Sequence, residues 1–518
     1  AYCLRHTQER GLARLTVYGE FLHKHPPLWE AEIWENTAWS CSHGVDRWRA
    51  DCGCRSGGND WHQKWRAPVR EAMDWLAAEL ALIYEREMGR LVRDPWQARD
   101  AYIEVILDRS PARVREFFHR HSGREFSPQE SVQALRLLEM QRQAMLMFTS
   151  CGWFFDEVSG IESTQTLAYA GRAMQLAQVA AGIDLEPDYL RRLEKAPSNL
   201  PGWGDAARVF ETAVKPGRID LLRVGAHQAI ASLFQEAGDE RRIYCYTTGQ
   251  REAEHLRAGM IQLSLGHTRV RSEITWAEAD FTYAVVHLGG QNVSAGIGPA
   301  AAAGAFEEMR AAFRELSADS DIPGLVRLLD SCFDHQYTLR HLFRDEQRKV
   351  VRHVMAPTLK ELETTFRSIY SNQFTLVRFL HTIAMPVPPE LARPVEIALK
   401  GEMRRLLQAE LPQLEEVRRL AGEMRQVGVT IEQSGLARLA GSRLQGALER
   451  LSRDPDDLPL LIWLGEFLDL FRELPLDIEL WQAQNSYFAL WRPSLARLSA
   501  TTLDPFLELG RKLRIKVD

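Results

Sequence analysis

Cys41, His43, Cys52 and Cys54 put three thiols and an imidazole within fourteen residues, in the run Trp39-Ser-Cys-Ser-His-Gly-Val-Asp-Arg-Trp-Arg-Ala-Asp-Cys-Gly-Cys. Zinc takes such a mixed sulfur and nitrogen set. Paired zinc ligands are usually spaced by two or more residues, so the tighter Cys-x-Cys step leaves a second reading open, buried thiols in a glycine-rich turn. Cys151 would add a fifth ligand if its loop converged on the first. A nucleophilic Cys52 or Cys151 activated by His43 is a third use of the same atoms.

Aromatic rings surround these groups. Seven of the fourteen tryptophans fall between Trp29 and Trp75. An indole must bury its ring while its N–H finds an acceptor, so the cluster reads as a ligand surface or as a tryptophan-rich core. A second aromatic group, Trp153-Phe154-Phe155, is followed directly by Asp156 and Glu157. With Asp46, Asp51, Asp60 and Glu162 these are the carboxylates near the rings. Two such groups about 5 Å apart would serve retaining glycoside cleavage. Asp51 beside Arg47 and Arg49 reads equally as a structural ion pair. Gly57-Gly58 and Gly289-Gly290 lack the context of a phosphate or dinucleotide loop. His227, His267 and His287 read as core or surface residues rather than ligands.

With 518 residues the chain exceeds one ordinary hydrophobic core. Its 45% hydrophobic and 26% charged content is that of a globular protein, and a net charge of -6 argues against a nucleic-acid partner. No run of ~20 apolar residues suits a membrane and no signal-like segment opens the chain, so a cytoplasmic location is expected. Seven cysteines over this length fit reduced thiols.

The elements that must position these groups are mainly helical. Asp94-Pro95, Ser110-Pro111 and Ser127-Pro128 each set an N-cap before a proline at the first helical position, and Ser127 with Glu130 forms a capping box. That third helix should end near Thr149, ahead of a loop to Gly160 and a further helix through Leu167 and Met174. Between about 240 and 298 the period falls to two, through Tyr244 and Tyr246, Ile261 to Leu265, and Phe281 to Val286, which predicts a small antiparallel sheet or sandwich. Ala300 to Ala303 leads back into helices. Amphipathic runs at 358–380, 402–408, 436–451 and 458–471 predict a helical bundle.

Three stretches together carry a family resemblance: Gly11-Leu-Ala-Arg-Leu-Thr-Val-Tyr-Gly-Glu-Phe-Leu, the Trp39 to Cys54 run, and Thr149-Ser-Cys-Gly-Trp-Phe-Phe-Asp-Glu. The chain resembles the C-terminal part of a bacterial glycoside hydrolase family 57-like protein, with Arg242-Ile-Tyr-Cys-Tyr and Asp345-Glu-Gln extending the likeness. The resemblance implies an α+β, mainly α protein. Residues 1–25 would end a truncated β/α barrel, 26–215 form a helical domain with rim loops, 216–299 a β-rich region, and 300–518 a C-terminal helical domain. It implies retaining cleavage or transfer on α-glucans, with both catalytic carboxylates before Ala1 and so no catalytic residue here. Trp39, His43, Trp48, Asp51, Trp153 and Asp156 would line the substrate rim as one wall built from two loops. Gly152 stands where the family has an aspartate, leaving Asp156 or Glu157 to grip sugar hydroxyls. No cofactor is implied. Zinc at Cys41, His43, Cys52 and Cys54 belongs to the alternative reading, a metal-binding structural module, and a helical protein-interaction scaffold is a third.

Overall fold

The computed structural model describes residues 2–57, 60–234, 240–429, 433–474, 478–495 and 497–517. They form two compact units, 31–354 and the pair of segments 1–30 and 355–518. The protein is α+β and mainly α.

The first unit opens with an irregular segment and then a helical lobe. Its main helices are Arg66–Met88, Pro128–Leu146 and Ile161–Ala181, with Pro95–Ala101, Pro111–Ser122 and Glu186–Leu193 around them. The expected caps are made: Asp94 accepts from the Trp96 and Gln97 N–H groups, Ser110 from that of Arg113, and Ser127 and Glu130 close a reciprocal box. Each cap satisfies donors that the first helical turn leaves free. Leu76, Leu80, Leu135, Leu138, Leu167 and Met174 meet in one core, with Trp65 and Trp153 buried among them. The loop expected at 149–160 contains a single helical turn, Cys151–Phe154.

A single antiparallel meander follows, β1 (Glu240–Ile243), β2 (Tyr246–Ala258), β3 (Ile261–Ser272), β4 (Glu278–His287), β5 (Val293–Pro299) and β6 (His335–Thr338), in that spatial order. Successive strand residues turn to opposite faces of this sheet, and helices cover both. Phe281, Tyr283 and Val285 of β4 face the helix Leu221–Ser232, while Ala284 and Val286 face the helices Ala303–Ala318 and Ile322–Cys332. Gly225 allows the first helix to lie close, since a Cβ there would come 2.8 Å from Ile297 Cδ1. Tyr244, expected within a strand, instead sits with Cys245 in the two-residue turn closed by the Ile243–Tyr246 pair, at φ 53°. The break expected near residue 300 does not divide the units. Residues 303–332 cover one face of the sheet and Leu339, Leu342 and Val350 enter the core on the other, so this stretch belongs with the strands.

The second unit is a helical array. Helices Pro389–Gln408, Leu414–Gln426, Gln433–Arg453, Leu458–Glu473, Trp481–Leu495 and Ala500–Lys512 share a core that includes Leu399, Leu420, Leu444, Leu464, Phe467, Tyr487 and Phe506. The short helix Tyr2–Glu9 joins it through a two-pronged ion pair from Arg492 to Glu9.

Candidate metal centre

The four ligands proposed from the Cys-x-His and Cys-x-Cys steps converge. The Sγ atoms of Cys41, Cys52 and Cys54 and a ring nitrogen of His43 all lie within 4.8 Å of one another. Cys41 Sγ is 3.9 Å from Cys52 Sγ and 3.8 Å from Cys54 Sγ, and His43 Nδ1 is 3.4 Å from Cys54 Sγ and 3.9 Å from Cys41 Sγ. A tetrahedral ion with bonds of ~2.3 Å to sulfur sets its sulfurs about 3.8 Å apart, so these separations match zinc and exclude a disulfide between the same atoms. All four cysteines near the site, Cys151 included, are free thiols. Cys151 is exposed and outside the group.

The backbone explains how so tight a spacing works. Gly53, between two ligands, lies at φ 74°, a conformation costly for any residue with a Cβ. Gly44 lies at φ 71°, and a Cβ there would stand 2.1 Å from the Asn36 carbonyl oxygen. Between these glycines the short helical turn Asp46–Trp48 docks on the Cys151–Phe154 turn. Trp48 Nε1 donates to the Ser150 carbonyl at 3.0 Å, and Arg47 donates to the Phe154 carbonyl at 3.1 Å while its guanidinium covers the Phe154 ring.

Two buried guanidiniums, Arg47 and Arg66, lie beside this centre and share the Phe154 carbonyl. Arg66 is fully buried, donates to the Phe154 and Phe155 carbonyls, and directs its remaining Nη1 at Cys52 Sγ at 3.7 Å. That contact suits a thiolate, and such outer partners fix and tune metal ligands. Burial lowers the Arg66 pKa from its usual value, with the Cys52 charge opposing that loss. Burial pushes the Cys41 thiol up, but N–H groups of His43 and Arg47 and the His43 ring outweigh it and bring the thiol down to about 7. Burial raises Cys52 above the usual thiol range.

The expected two-loop wall of rings and acids does not form. Trp153 is 2% exposed, its ring stacked on Phe148 within the helical core, so it offers no plate to a ligand. Asp156 is also buried. One of its oxygens accepts from the N–H groups of Ser56 and Gly57, each at 3.0 Å, and from Ser56 Oγ, the other from Gln63 Nε2, with Arg66 3.9 Å away. It is therefore a latch for the chain just after Cys54. Glu157 is used the same way, accepting from Ser198 Oγ at 2.6 Å and the Asn199 N–H at 2.8 Å. Gly152 leaves no space for the aspartate of the family pattern, because a Cβ would come 2.3 Å from Thr166 Cγ2. Trp48 is half-buried as a docking residue, and Asp51 accepts from the Gln63 N–H rather than pairing with Arg47 or Arg49. Arg49 pairs with Asp46. Trp39 is 96% exposed and His43 belongs to the ligand group. The latch residues Gln63, Ser198 and Asn199 gave no sequence signal, since each acts through contacts about 40 to 140 residues away in the chain.

No curated protein and no solved structure matches this chain. A family described as "Domain of unknown function (DUF3536)" matches residues 61–343, which span the helical lobe and the sheet and begin just after the candidate ligand group. That match covers more than half of the chain, which therefore belongs to the DUF3536 family.

Proposed function

We propose that this chain is a zinc-organised module in which Cys41, His43, Cys52 and Cys54 hold the ion and so fix the shape of the irregular segment before Trp61, which docks on the helical lobe through Arg47, Trp48 and the Asp156 latch. The observation that carries this reading is the tetrahedral spacing of the four ligand atoms. Four protein ligands fill the zinc shell and leave no open position for substrate, which is the pattern of a structural rather than a catalytic ion. Metal analysis of the purified full chain tests it. About one equivalent of zinc per chain is expected, lost on mutating Cys41 and Cys54 to serine together, and less than about a tenth of an equivalent in the wild type refutes it.

A second reading joins this module to the family 57-like resemblance, as an accessory part of an α-glucan-active enzyme whose catalytic carboxylates are carried elsewhere. Its support is the pair Trp34 and Trp39, 78% and 96% exposed, whose bare rings sit close in sequence to the ligands. Exposed indoles of this kind are the usual apolar surface for a pyranose ring. Titration with maltoheptaose tests this reading. Saturable binding weakened by Trp39→Ala is expected, and equal or absent binding in both forms removes the sugar from the proposal.

A further inference from the structure

A separate cavity of about 670 Å³ opens between the helical lobe and the sheet of the first unit, within the family-matched residues. Its volume is that of small-molecule sites, which commonly run ~300–1,000 Å³. Arg136 comes to it from the helix Pro128–Leu146, Arg172 and Gln175 from Ile161–Ala181, Arg218 from the turn after Lys215, Tyr246 from β2 and Thr275 from the turn between β3 and β4. A second cavity of about 460 Å³ shares Arg172, Gln175, Arg218 and Tyr246 with it, so the two form one groove.

The three guanidiniums are not equivalent. Arg218 is neutralised by Glu186, which Lys215 also holds at 2.8 Å, and it rests against the Phe210 ring. Arg136 and Arg172 have no carboxylate partner among the described residues. Arg136 reaches only the Val179 carbonyl, at 3.5 Å, and Arg172 reaches the Ile219 carbonyl at 3.1 Å and Gln175 Oε1 at 3.4 Å. Burial first, and the neighbouring Arg172 charge second, disfavours the charged form of Arg136. Two like charges turned toward one opening are what an oxyanion relieves, and the planar guanidinium fork fits phosphoryl and carboxyl oxygens. The acidic lining does not cancel them. Glu186 is bound to Arg218 and Lys215, Asp184 accepts from the Glu186 N–H, and Asp220 caps the helix Leu221–Ser232. Their remaining lone pairs, with Gln175, are acceptors suited to hydroxyl groups.

We propose that this groove binds a small polyhydroxylated anion, its single phosphoryl or carboxyl group held by Arg136 and Arg172 and its hydroxyls by the acidic and amide side chains. The proposal stands apart from the zinc centre and from glucan binding. Its test is calorimetric titration of the full chain with glucose 6-phosphate, glucuronate, glucose and inorganic phosphate. Glucose 6-phosphate or glucuronate should bind at least about tenfold more tightly than glucose or inorganic phosphate. Arg136→Gln and Arg172→Gln should each weaken that binding about tenfold, with Arg136→Lys losing less. Ligand-induced amide protection on the wild type, which needs no variant to fold, should map to residues 172–179 and 272–277. The proposal is overturned if neither anion binds at about 10 mM, if inorganic phosphate alone matches glucose 6-phosphate, if both glutamine variants bind as the wild type does, or if protection appears elsewhere.

Discussion

Asp156→Ala is the sharpest probe of how the loop carrying Cys52 and Cys54 is held. The carboxylate receives hydrogen bonds from Ser56, Gly57 and Gln63 and is the acidic group beside Arg66, which is itself fully buried. Hydrogen bonds to a charged acceptor contribute about 1.5–3 kcal/mol each, but they share one site and do not add. The governing quantity is the uncompensated Arg66 charge, for which loss of a buried partner costs roughly 3–5 kcal/mol. Arg66 keeps the carbonyl acceptors of Phe154 and Phe155, so the lower end, about 3 kcal/mol, is expected. Urea unfolding read by tryptophan fluorescence measures the loss, because the buried Trp65 donates to the Asp156 carbonyl and the buried Trp153 lies three residues before it. Limited proteolysis gives an independent measure, with new cleavage between Arg55 and Lys64 as the latch opens. Asp156→Asn, which keeps one acceptor oxygen, should fall between the two. An alanine variant with an unchanged unfolding midpoint and an unchanged cleavage pattern would refute the latch.

Three further outcomes are expected. Gly53→Ala should cost about 1–2 kcal/mol of zinc binding, because its left-handed backbone sets the two neighbouring ligands, and this is measured by competition with a chromophoric chelator. Gly152→Asp should lower the thermal midpoint of the helical lobe in calorimetry, since even a Cβ collides with Thr166 and overpacking costs about 1–3 kcal/mol. His227 is held down to about 4 by burial, with Lys349 and Arg223 adding to it, and its Nδ1 accepts the Phe343 N–H. A depressed folded value means that stability is fully present above the unfolded value near 6.5 and is lost as pH falls toward 4, roughly 3 kcal/mol in all. Unfolding of His227→Gln should show less of that loss than the wild type over the same window.

Local chemistry was legible wherever it acts within a few residues. Asp94, Ser110 and Ser127 announced their helices because a cap and its donors lie within one turn. Phe281 to Val286 announced a strand because large side chains alternate with smaller ones as successive residues turn to opposite faces of the sheet, both of them covered by helices. The convergence of Cys41, His43, Cys52 and Cys54 was legible for the same reason, with Gly53 supplying the turn between the last two thiols. What failed was the side to which a residue turns in the assembled fold. Trp153 and Asp156 have the types of a sugar site, yet one fills a core and the other binds backbone a hundred positions away. β6, four residues long and distant from β5 in sequence, carries too short a pattern to read.

The family match starts at Trp61, yet Arg66 and Asp156 inside it are completed by Cys52, Ser56 and Gly57 ahead of it. An expression boundary drawn at that residue would cut through a closed ionic network and uncover a charge cluster meant to be dry. Fragments intended for crystallography or binding work should therefore start upstream of Asn36, whose carbonyl already touches the turn at Gly44.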